Sequence, residues 1–166
     1  MSGRHAAFAP VADARTRVLV LGSLPGAASL AARQYYAHPR NGFWRLIGPA
    51  AGRDLTALPY PDRLAALVAA RIGLWDVIAT ASRAGSLDAA IRAPEPADLP
   101  RLVGALPGLR AIGFNGATAA RLGRRALGAT AGDVALLDLP STSPAYAAMP
   151  LAMKLARWSA LSDYLD

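Results

Sequence analysis

Side chains suited to chemistry crowd into one short stretch of the chain, residues 35–44. Its polar and aromatic members are Tyr35, Tyr36, His38, Arg40, Asn41, Phe43 and Trp44. The stretch comes after an apolar run with the character of a buried strand, Val18–Leu21. Aromatic faces, a guanidinium and a carboxamide gathered beyond a strand end suit a pocket for a flat polar ring.

A sharp turn joins that strand to the stretch, and it reads Gly22-Ser23-Leu24-Pro25-Gly26. Pro25 removes an amide donor and stiffens the turn. The turn lacks the third glycine of G-x-G-x-x-G, the Gly-Lys-Ser/Thr ending of a phosphate loop and the G-x-S-x-G of a nucleophile elbow. It therefore predicts a rigid wall of a ligand site rather than an anion cradle. An ordinary strand-to-loop turn is the alternative.

A second polar loop near the end of the chain places hydroxyl groups between two prolines. Its members, with the tyrosine that follows them, are Pro140, Ser141, Thr142, Ser143, Pro144, Ala145 and Tyr146. Hydroxyls and backbone amides held in fixed directions suit a DNA phosphate or a distorted sugar. A plain turn that caps the last helix is the alternative interpretation.

Three further polar residues follow apolar runs. Asn115 precedes Gly116 and carries a donor and an acceptor in one plane, as reading a base edge requires. Asn-Gly is also common in tight turns, so that interpretation stays open. Asp76 closes the second run and is either a carboxylate in the site or a cap of the next turn, and Asp138 has the same two interpretations.

Composition excludes several chemistries. The chain has no cysteine, which excludes disulfides, thiolate nucleophiles and cysteine-bound zinc or iron–sulfur clusters. It has two histidines, His5 and His38, too few for a His-rich metal site, so we expect no metal and no cofactor. The net charge of +7 rests almost wholly on arginine, with Lys154 the single lysine. This indicates either a nucleic-acid partner or the codon bias of a GC-rich genome.

Apolar runs alternate with helical patterns along the chain. We predict strands over Val18–Leu21, Gly73–Ile78, Arg110–Phe114 and Val134–Leu137. We predict helices over Gly42–Ala51, Asp62–Arg71, Ala97–Ala105, Ala117–Leu127 and Pro150–Tyr164. The alternation predicts an α/β fold with a four-stranded parallel sheet and helices on both faces. In such folds ligands bind beyond the carboxyl ends of the strands, where the polar loops fall.

The length predicts one domain over residues 17–166, preceded by a loose N-terminal arm over residues 1–16. Apolar runs fall short of the roughly 20 residues that a membrane span needs. The first residues lack the basic-then-apolar layout of a signal peptide, so we expect a cytoplasmic protein that does not associate with membranes.

The ordered segments GSLPG, YYAHPRNGFW, GLWDVIATASRAGSLDAAIR, IGFNG and LPSTSPA resemble the uracil-DNA glycosylase superfamily. Within it the chain is most similar to the hypoxanthine-DNA (deoxyinosine) glycosylases. The resemblance covers roughly residues 17–160. It implies a three-layer α/β/α sandwich and hydrolysis of the N-glycosidic bond of a deaminated base in double-stranded DNA, at the prokaryotic nucleoid.

The resemblance also implies residue roles. Leu24 stands where other members hold the Asp or Asn that positions the attacking water, and Asn41 takes over that role. Asn115 matches the family's second functional asparagine. Ser141 replaces the histidine of the His-Pro-Ser-Pro motif, which favours the narrower deaminated-base enzyme over a general uracil glycosylase.

Several side chains then receive candidate roles around the base and the DNA. Phe43 is expected to stack on the extruded base with Tyr36 as an alternative, whereas Trp44 is expected in the core. His38 contacts the leaving base or a phosphate, or makes a structural hydrogen bond within its loop. The turn 22–26 contacts the base, while Arg40 and residues 141–146 contact DNA. Tyr146 and Met149 are the candidates for a wedge inserted into the vacated stack.

A lyase step usually needs a nucleophilic amine, and the single lysine, Lys154, lies in the last predicted helix, so we expect a monofunctional enzyme. We also expect a monomer. Three rival interpretations remain. One is a glycosylase directed at uracil or xanthine, and another is a DNA-binding relative that has lost catalysis. The third is a Rossmann-like nucleotide-binding enzyme with Asp76 on the ribose, which the missing phosphate-loop glycines disfavour.

Overall fold

The computed structural model describes residues 4–83 and 86–166. The strands in this part of the chain are β1 Arg4–Ala6, β2 Val18–Gly22, β3 Ile72–Asp76, β4 Ile78–Ser82, β5 Arg92–Pro96, β6 Ala111–Asn115 and β7 Ala135–Leu139. Four of them form a parallel sheet in the order β3-β2-β6-β7, and the other three form an antiparallel sheet in the order β1-β4-β5. The predicted four-stranded parallel sheet is confirmed.

Helices cover both faces of the parallel sheet. They are α1 Ala27–Ala32, α2 Phe43–Ala51, α3 Tyr60–Ala69, α4 Leu99–Gly104, α5 Ala117–Leu127 and α6 Leu151–Ser159, with 3-10 turns at Asp88–Ala90, Gly128–Ala131 and Ala160–Tyr164. Alternate residues of β2 supply the two cores, because successive side chains of a strand point to opposite faces. Val18 and Val20 pack with α2, α3 and α6, whereas Leu19 and Leu21 pack with α4, α5 and β4. The three-layer α/β/α arrangement is therefore confirmed.

The predicted strand Gly73–Ile78 is wrong as a single element. β3 ends at Asp76, and β4 begins at Ile78 in the other sheet. The backbone N–H groups of Val77 and Ile78 donate to the carbonyls of Gly22 (2.8 Å) and Ser23 (3.2 Å), so the chain passes from one sheet to the other beside the turn that follows β2. Asp76 therefore lies at the carboxyl edge of the parallel sheet, where the chain changes sheets.

The N-terminal segment is docked on the domain rather than loose. β1 pairs antiparallel with β4, and Val11 forms an isolated bridge with Leu74 of β3. The predicted loose arm is thus wrong for residues 4–16, while residues 1–3 lie outside the described residues. Across the described parts of the chain, the helices are too short or too polar to cross a membrane.

Candidate functional site

The polar loops meet in a cavity of about 430 Å³ at the carboxyl edge of the parallel sheet. This volume lies within the ~300–1,000 Å³ typical of small-molecule sites. The predicted site residues that line it are Gly22, Ser23, Leu24, Pro25, Gly26, Tyr36, His38, Asn41, Asn115, Ser141, Thr142, Ser143, Pro144, Ala145 and Tyr146. The lining that sequence reasoning did not place at the site includes Ser29, Ser86, Leu87 and Asp88. Both asparagines of interest thus face one cavity.

Asn41 lies two residues before Phe43, the first residue of α2, and its side chain is fixed by that helix start. Its Oδ1 accepts a hydrogen bond from the backbone N–H of Phe43 (3.0 Å). The next residue, Gly42, donates its backbone N–H to the carbonyl of Thr142 (3.0 Å), which ties the Asn41 loop to the 140–146 loop. One lone pair of Oδ1 and the amide NH₂ are left for a ligand, because an amide oxygen accepts two hydrogen bonds.

Asn115, at the end of β6, is buried and largely committed to the protein. Its Nδ2 donates to the hydroxyls of Thr142 (3.0 Å) and Tyr36 (3.3 Å). Its Oδ1 accepts the backbone N–H of Thr142 (3.0 Å). Both amide donors are thus occupied, and the remaining capacity is one lone pair on Oδ1. The arrangement fixes Thr142 and the Tyr36 hydroxyl.

An aromatic stack forms part of the cavity wall. The rings of Tyr36 and Phe43 lie 4.0 Å apart at 18°. Phe43 has 0% exposed surface, and its edge contacts reach the rings of Trp44 and Trp158. The expectation that Phe43 stacks directly on a base is therefore not met in this conformation, because Tyr36 covers it. Tyr36 lines the cavity in front of Phe43, so its ring replaces that of Phe43 as the aromatic surface at this point of the wall.

The loop that carries Tyr36 is anchored to its neighbours. The buried hydroxyl of Ser29 in α1 accepts the backbone N–H of Ala37 (3.1 Å). Tyr35 donates its hydroxyl to the carbonyl of Ala9 (3.1 Å), and its backbone N–H donates to the hydroxyl of Tyr60 (2.9 Å). Burial raises the pKa of the Tyr36 hydroxyl well above its usual value, and the nearby Asp76 carboxyl adds to the rise. The Tyr36 hydroxyl consequently keeps its proton.

Asp76 lies in the wall of the cavity with 4% of its surface exposed. Burial raises the pKa of its carboxyl to about 7, while the Arg83 guanidinium lowers it and the Asp88 charge raises it further. Its Oδ2 is buried without a hydrogen-bond partner in the described part of the chain. Of the two interpretations of Asp76, the structure therefore favours a carboxyl group in the site over a cap.

Gly22 provides the space in which these groups converge. A Cβ atom at this position would lie 2.7 Å from Oδ1 of Asp76 and 3.0 Å from the hydroxyl oxygen of Tyr36. Real Cβ atoms essentially never lie 2.7 Å from another heavy atom, so a side chain here would displace Asp76 and press on Tyr36. The glycine of the turn is therefore required by close approach of the cavity groups.

The Gly22–Gly26 turn is held from behind by a buried arginine that sequence reasoning missed. Arg83 donates from Nη2 to the carbonyls of Pro25 and Leu24. Its Nη1 lies 3.5 Å from Oδ1 of Asp88, which also accepts the hydroxyl of Ser23 (2.7 Å). These contacts join segments about sixty residues apart in sequence. The turn is therefore rigid, as its sequence predicts, through both Pro25 and this network.

His38 and Arg40 lie in the loop before α2. The Nδ1 of His38 accepts the backbone N–H of Arg40 (3.1 Å), so the structural hydrogen bond considered for His38 is present. His38 also lines the cavity, whereas Arg40 is exposed.

The hydroxyls of the 140–146 loop do not cap the last helix, because α6 follows Pro150 and has no side-chain cap. The loop lines the cavity, and the hydroxyls of Ser141 and Ser143 accept local backbone N–H groups at 3.1 and 3.2 Å. The wedge candidate Tyr146 is exposed and lines the cavity, and the Nζ of Lys154 donates to its carbonyl (2.6 Å). Leu87, with 59% exposed surface, is a second apolar side chain of the lining. No sequence pattern singled it out.

Metal-ligating side chains do not cluster among the described residues: no group of three His, Asp or Glu residues there could hold an ion. The arrangement instead offers a flat aromatic face, a buried carboxyl and a carboxamide. These groups can bind a planar heterocycle and hold a water molecule beside it.

An α/β/α sandwich with its cavity at the carboxyl edge of a parallel sheet defines the class of protein. The family model of the uracil DNA glycosylase superfamily matches residues 9–162, and the chain belongs to this superfamily. The resemblance drawn from the five motifs is therefore confirmed.

Individual relatives narrow the comparison. A candidate uracil DNA glycosylase from Methanosarcina acetivorans, solved by NMR in solution, superimposes with a TM-score of 0.83 at 36% identity over 98% of this chain and 99% of that chain. Two curated relatives bear the name hypoxanthine DNA glycosylase. They come from Methanosarcina barkeri (strain Fusaro) and M. acetivorans and are 45% and 46% identical over 109 residues, which is 66% of this chain and 69% of each relative.

Proposed function

We propose that this protein is a monofunctional DNA glycosylase that hydrolyses the N-glycosidic bond of hypoxanthine in double-stranded DNA, the first step of base excision repair. The observation that carries the proposal is that Asn41, Tyr36 and Asp76 line one cavity. The names of the two curated relatives support hypoxanthine as the base. Uracil is the second candidate, because the solved relative is described as a uracil DNA glycosylase.

The reaction breaks the bond between C1′ of deoxyribose and N9 of the base. The bonding electron pair leaves with the base, a water molecule gives its hydroxide to C1′, and solvent takes and returns the protons. The sugar acquires oxocarbenium character, so an oriented water suffices as nucleophile. The free lone pair on Oδ1 of Asn41 accepts a hydrogen bond from that water, and the hydrogen bond from Phe43 keeps the amide oriented. Positioning of this kind lowers the activation barrier by several kcal/mol.

The base must leave the duplex before it can enter the cavity. Hypoxanthine in a mismatch is easier to unstack than a well-paired base, which contributes selectivity. The exposed face of Tyr36 receives the extruded ring, since base–aromatic stacking contributes roughly 1–3 kcal/mol. Tyr146 remains the candidate wedge, and Leu87 joins it on the same cavity.

The net charge of +7 suits a DNA partner. We propose that the protein acts as a monomer at the nucleoid, and that Lys154 does not form a covalent bond with DNA. Lys154 is occupied by the Tyr146 carbonyl, and its ammonium lies 5.0 Å from the Tyr146 ring. Borohydride trapping of a protein–DNA adduct would contradict the monofunctional assignment.

The proposed function is tested by incubating the protein with a duplex that contains one inosine, followed by alkali to cleave abasic sites. Matched duplexes with uracil, xanthine or undamaged bases complete the panel. Asn41→Ala should lower single-turnover excision by ~100-fold or more and leave DNA binding within about twofold, because the lost group orients water rather than DNA. Unchanged excision by this variant contradicts the role of Asn41. A wild-type protein that binds DNA without cleaving any lesion would be a non-catalytic relative.

A further inference from the structure

The carboxyl group of Asp76 is unused by the fold. Buried polar atoms are almost always hydrogen-bonded, and an unpaired one destabilises a protein. Yet Oδ2 of Asp76 has no partner in the described part of the chain, and the side chain lines the cavity. The Asp88 carboxyl, by contrast, is engaged by Arg83 and Ser23. An unpaired carboxyl in the wall of a binding cavity has the position of a group whose partner is a ligand.

We propose that Asp76 is a specificity-determining residue whose protonated carboxyl hydrogen-bonds the lactam edge of the extruded base, the adjacent C=O and N–H that deaminated bases share. This inference rests on the proposed glycosylase function. It assigns base recognition to a residue other than the two asparagines.

The chemistry of the two partners is complementary. A neutral carboxyl offers an O–H donor and a C=O acceptor side by side. Hypoxanthine offers the O6 acceptor and the N1–H donor side by side, so two parallel hydrogen bonds form. An ionised carboxylate offers acceptors only, so it would bind N1–H but repel O6. The neutral form of Asp76 is therefore the form that recognises the base.

The surroundings of Asp76 favour that neutral form. Burial raises the pKa of this carboxyl to about 7. The charged and titratable groups that face it are the Arg83 guanidinium of the segment after β4, the Asp88 carboxylate of the 3-10 turn, and the hydroxyls of Tyr35 and Tyr36. His38 lines the same cavity. Arg83 lowers the pKa, but it is drawn toward Asp88 and the turn carbonyls instead of pairing with Asp76.

Asn115 is less able to perform this recognition. Both of its N–H donors are held by Thr142 and Tyr36, so it has none to give to O6 of the base. The close approach of Asp76 to Gly22 leaves the carboxyl beside the Tyr36 hydroxyl, at the edge of the aromatic surface on which the base would stack. Asp76 therefore has both the free donor and the position.

Two substitutions separate recognition from charge. Asp76→Asn keeps a donor and an acceptor in the same shape, whereas Asp76→Ala removes both. We expect Asp76→Ala to lower single-turnover excision of hypoxanthine ~10- to 100-fold, in line with the loss of two hydrogen bonds. We expect Asp76→Asn to stay within about threefold of the wild type at pH 7. Asp138→Ala, at an exposed carboxylate that pairs with Arg124, is the matched control and should leave excision unchanged.

The pH dependence of excision distinguishes base recognition by Asp76 from a purely structural role, which would leave that dependence unchanged. Because the acid form is the active one, wild-type excision should fall as pH rises through about 7. Asp76→Asn cannot ionise, so its profile should lose that fall. A profile of Asp76→Asn identical to the wild type, or a loss in Asp76→Asn as large as in Asp76→Ala, overturns the proposal. Wild-type-like excision by Asp76→Ala overturns it as well.

Stability measurements exclude misfolding as the cause of any loss. A carboxyl whose folded-state pKa lies above its unfolded value stabilises the fold fully below about pH 4, and that stabilisation is lost as pH rises toward 7. Asp76→Asn should therefore melt at a higher temperature than the wild type at pH 8, with a smaller difference at pH 5. Failure of the proposed function is recognised separately, because the wild type would then leave every lesion intact.

Discussion

Tyr36 has an unfavourable backbone conformation and favourable side-chain contacts. Its φ of 53° lies in the left-handed region, which is uncommon for a residue other than glycine and costs on the order of 1–3 kcal/mol. The stack on Phe43 and the hydrogen bond from Asn115 oppose that cost. Strain that the surroundings compensate in this way is typical of ligand sites, and here it holds one ring face toward the cavity before any base arrives.

We expect the ring of Tyr36 to matter more than its hydroxyl. Tyr36→Phe keeps the aromatic face and loses one long hydrogen bond, so single-turnover excision should fall by about fivefold or less. Tyr36→Ala removes the face and should cost ~1–3 kcal/mol of base binding, seen as a 5- to 150-fold higher DNA concentration for half-maximal rate. Equal effects of the two substitutions would contradict stacking and assign the role to the hydroxyl.

The Gly22–Gly26 turn depends on a contact far away in sequence. Arg83 is buried and binds the carbonyls of the turn while pairing with Asp88, so the turn, β4 and the 3-10 turn form one unit. Asp76 lies beside Gly22 because the two residues are paired in the register of β2 and β3, and the chain enters β4 two residues later. Arg83 therefore links this wall of the cavity to the antiparallel sheet.

Arg83→Met should therefore destabilise the fold by ~2–3 kcal/mol, since it leaves buried carbonyls without their charged donor. Arg124→Met is the matched control, because Arg124 pairs with Asp138 on the surface, where an ion pair contributes about 0–1 kcal/mol. Urea denaturation of both variants measures the difference. Equal losses of unfolding free energy in the two variants would show that Arg83 does not hold the turn.

The sequence predicts best the elements whose local pattern and tertiary environment agree. The helix Ala117–Leu127 begins after Asn115-Gly116 and ends before Gly128, and its observed bounds equal the predicted ones. The strands of the parallel sheet are apolar runs, and β2 and β6 are buried throughout. The bounds of all four strands are predicted to within two residues, but the prediction for β3 wrongly includes the start of β4. The α/β alternation predicts that these strands share one carboxyl edge, and most of the residues that line the cavity are predicted from that edge.

The antiparallel sheet was missed because its pattern is not apolar. β5 reads Arg-Ala-Pro-Glu-Pro and is exposed throughout, and β1 has three residues. β1 and β5 are strands because each pairs with β4. Pairing with a distant segment is not visible in a local sequence pattern. The same reason applies to the site: the contacts of Arg83 and the burial of Asp76 arise from segments distant in sequence. Phe43 was assigned to the base because the motif does not show that Tyr36 folds back over it.

Two of the arginines that cluster in sequence lie away from the edge of the sheet at which the cavity opens. Arg124 and Arg125 lie in the last turn of α5, which starts at the carboxyl edge of the sheet beside Gly116 and runs toward the opposite edge. The cavity opens at the carboxyl edge, and exposed Arg40 follows His38 of its lining by two residues. We therefore expect Arg40, near the cavity, rather than the arginines at the end of α5 to contact DNA phosphates.

Arg40→Ala should consequently weaken binding to an inosine duplex and reduce the slope of log K against log salt by ~1, because each neutralised phosphate contributes about −0.9 to that slope. Arg125→Ala removes the same charge at the far edge and should change the slope little. Fluorescence anisotropy between 50 and 200 mM salt, roughly the range over which such contacts are lost, measures both. If the two variants lose affinity equally, net charge rather than a contact at the cavity attracts DNA, and Arg40 is not part of the interface.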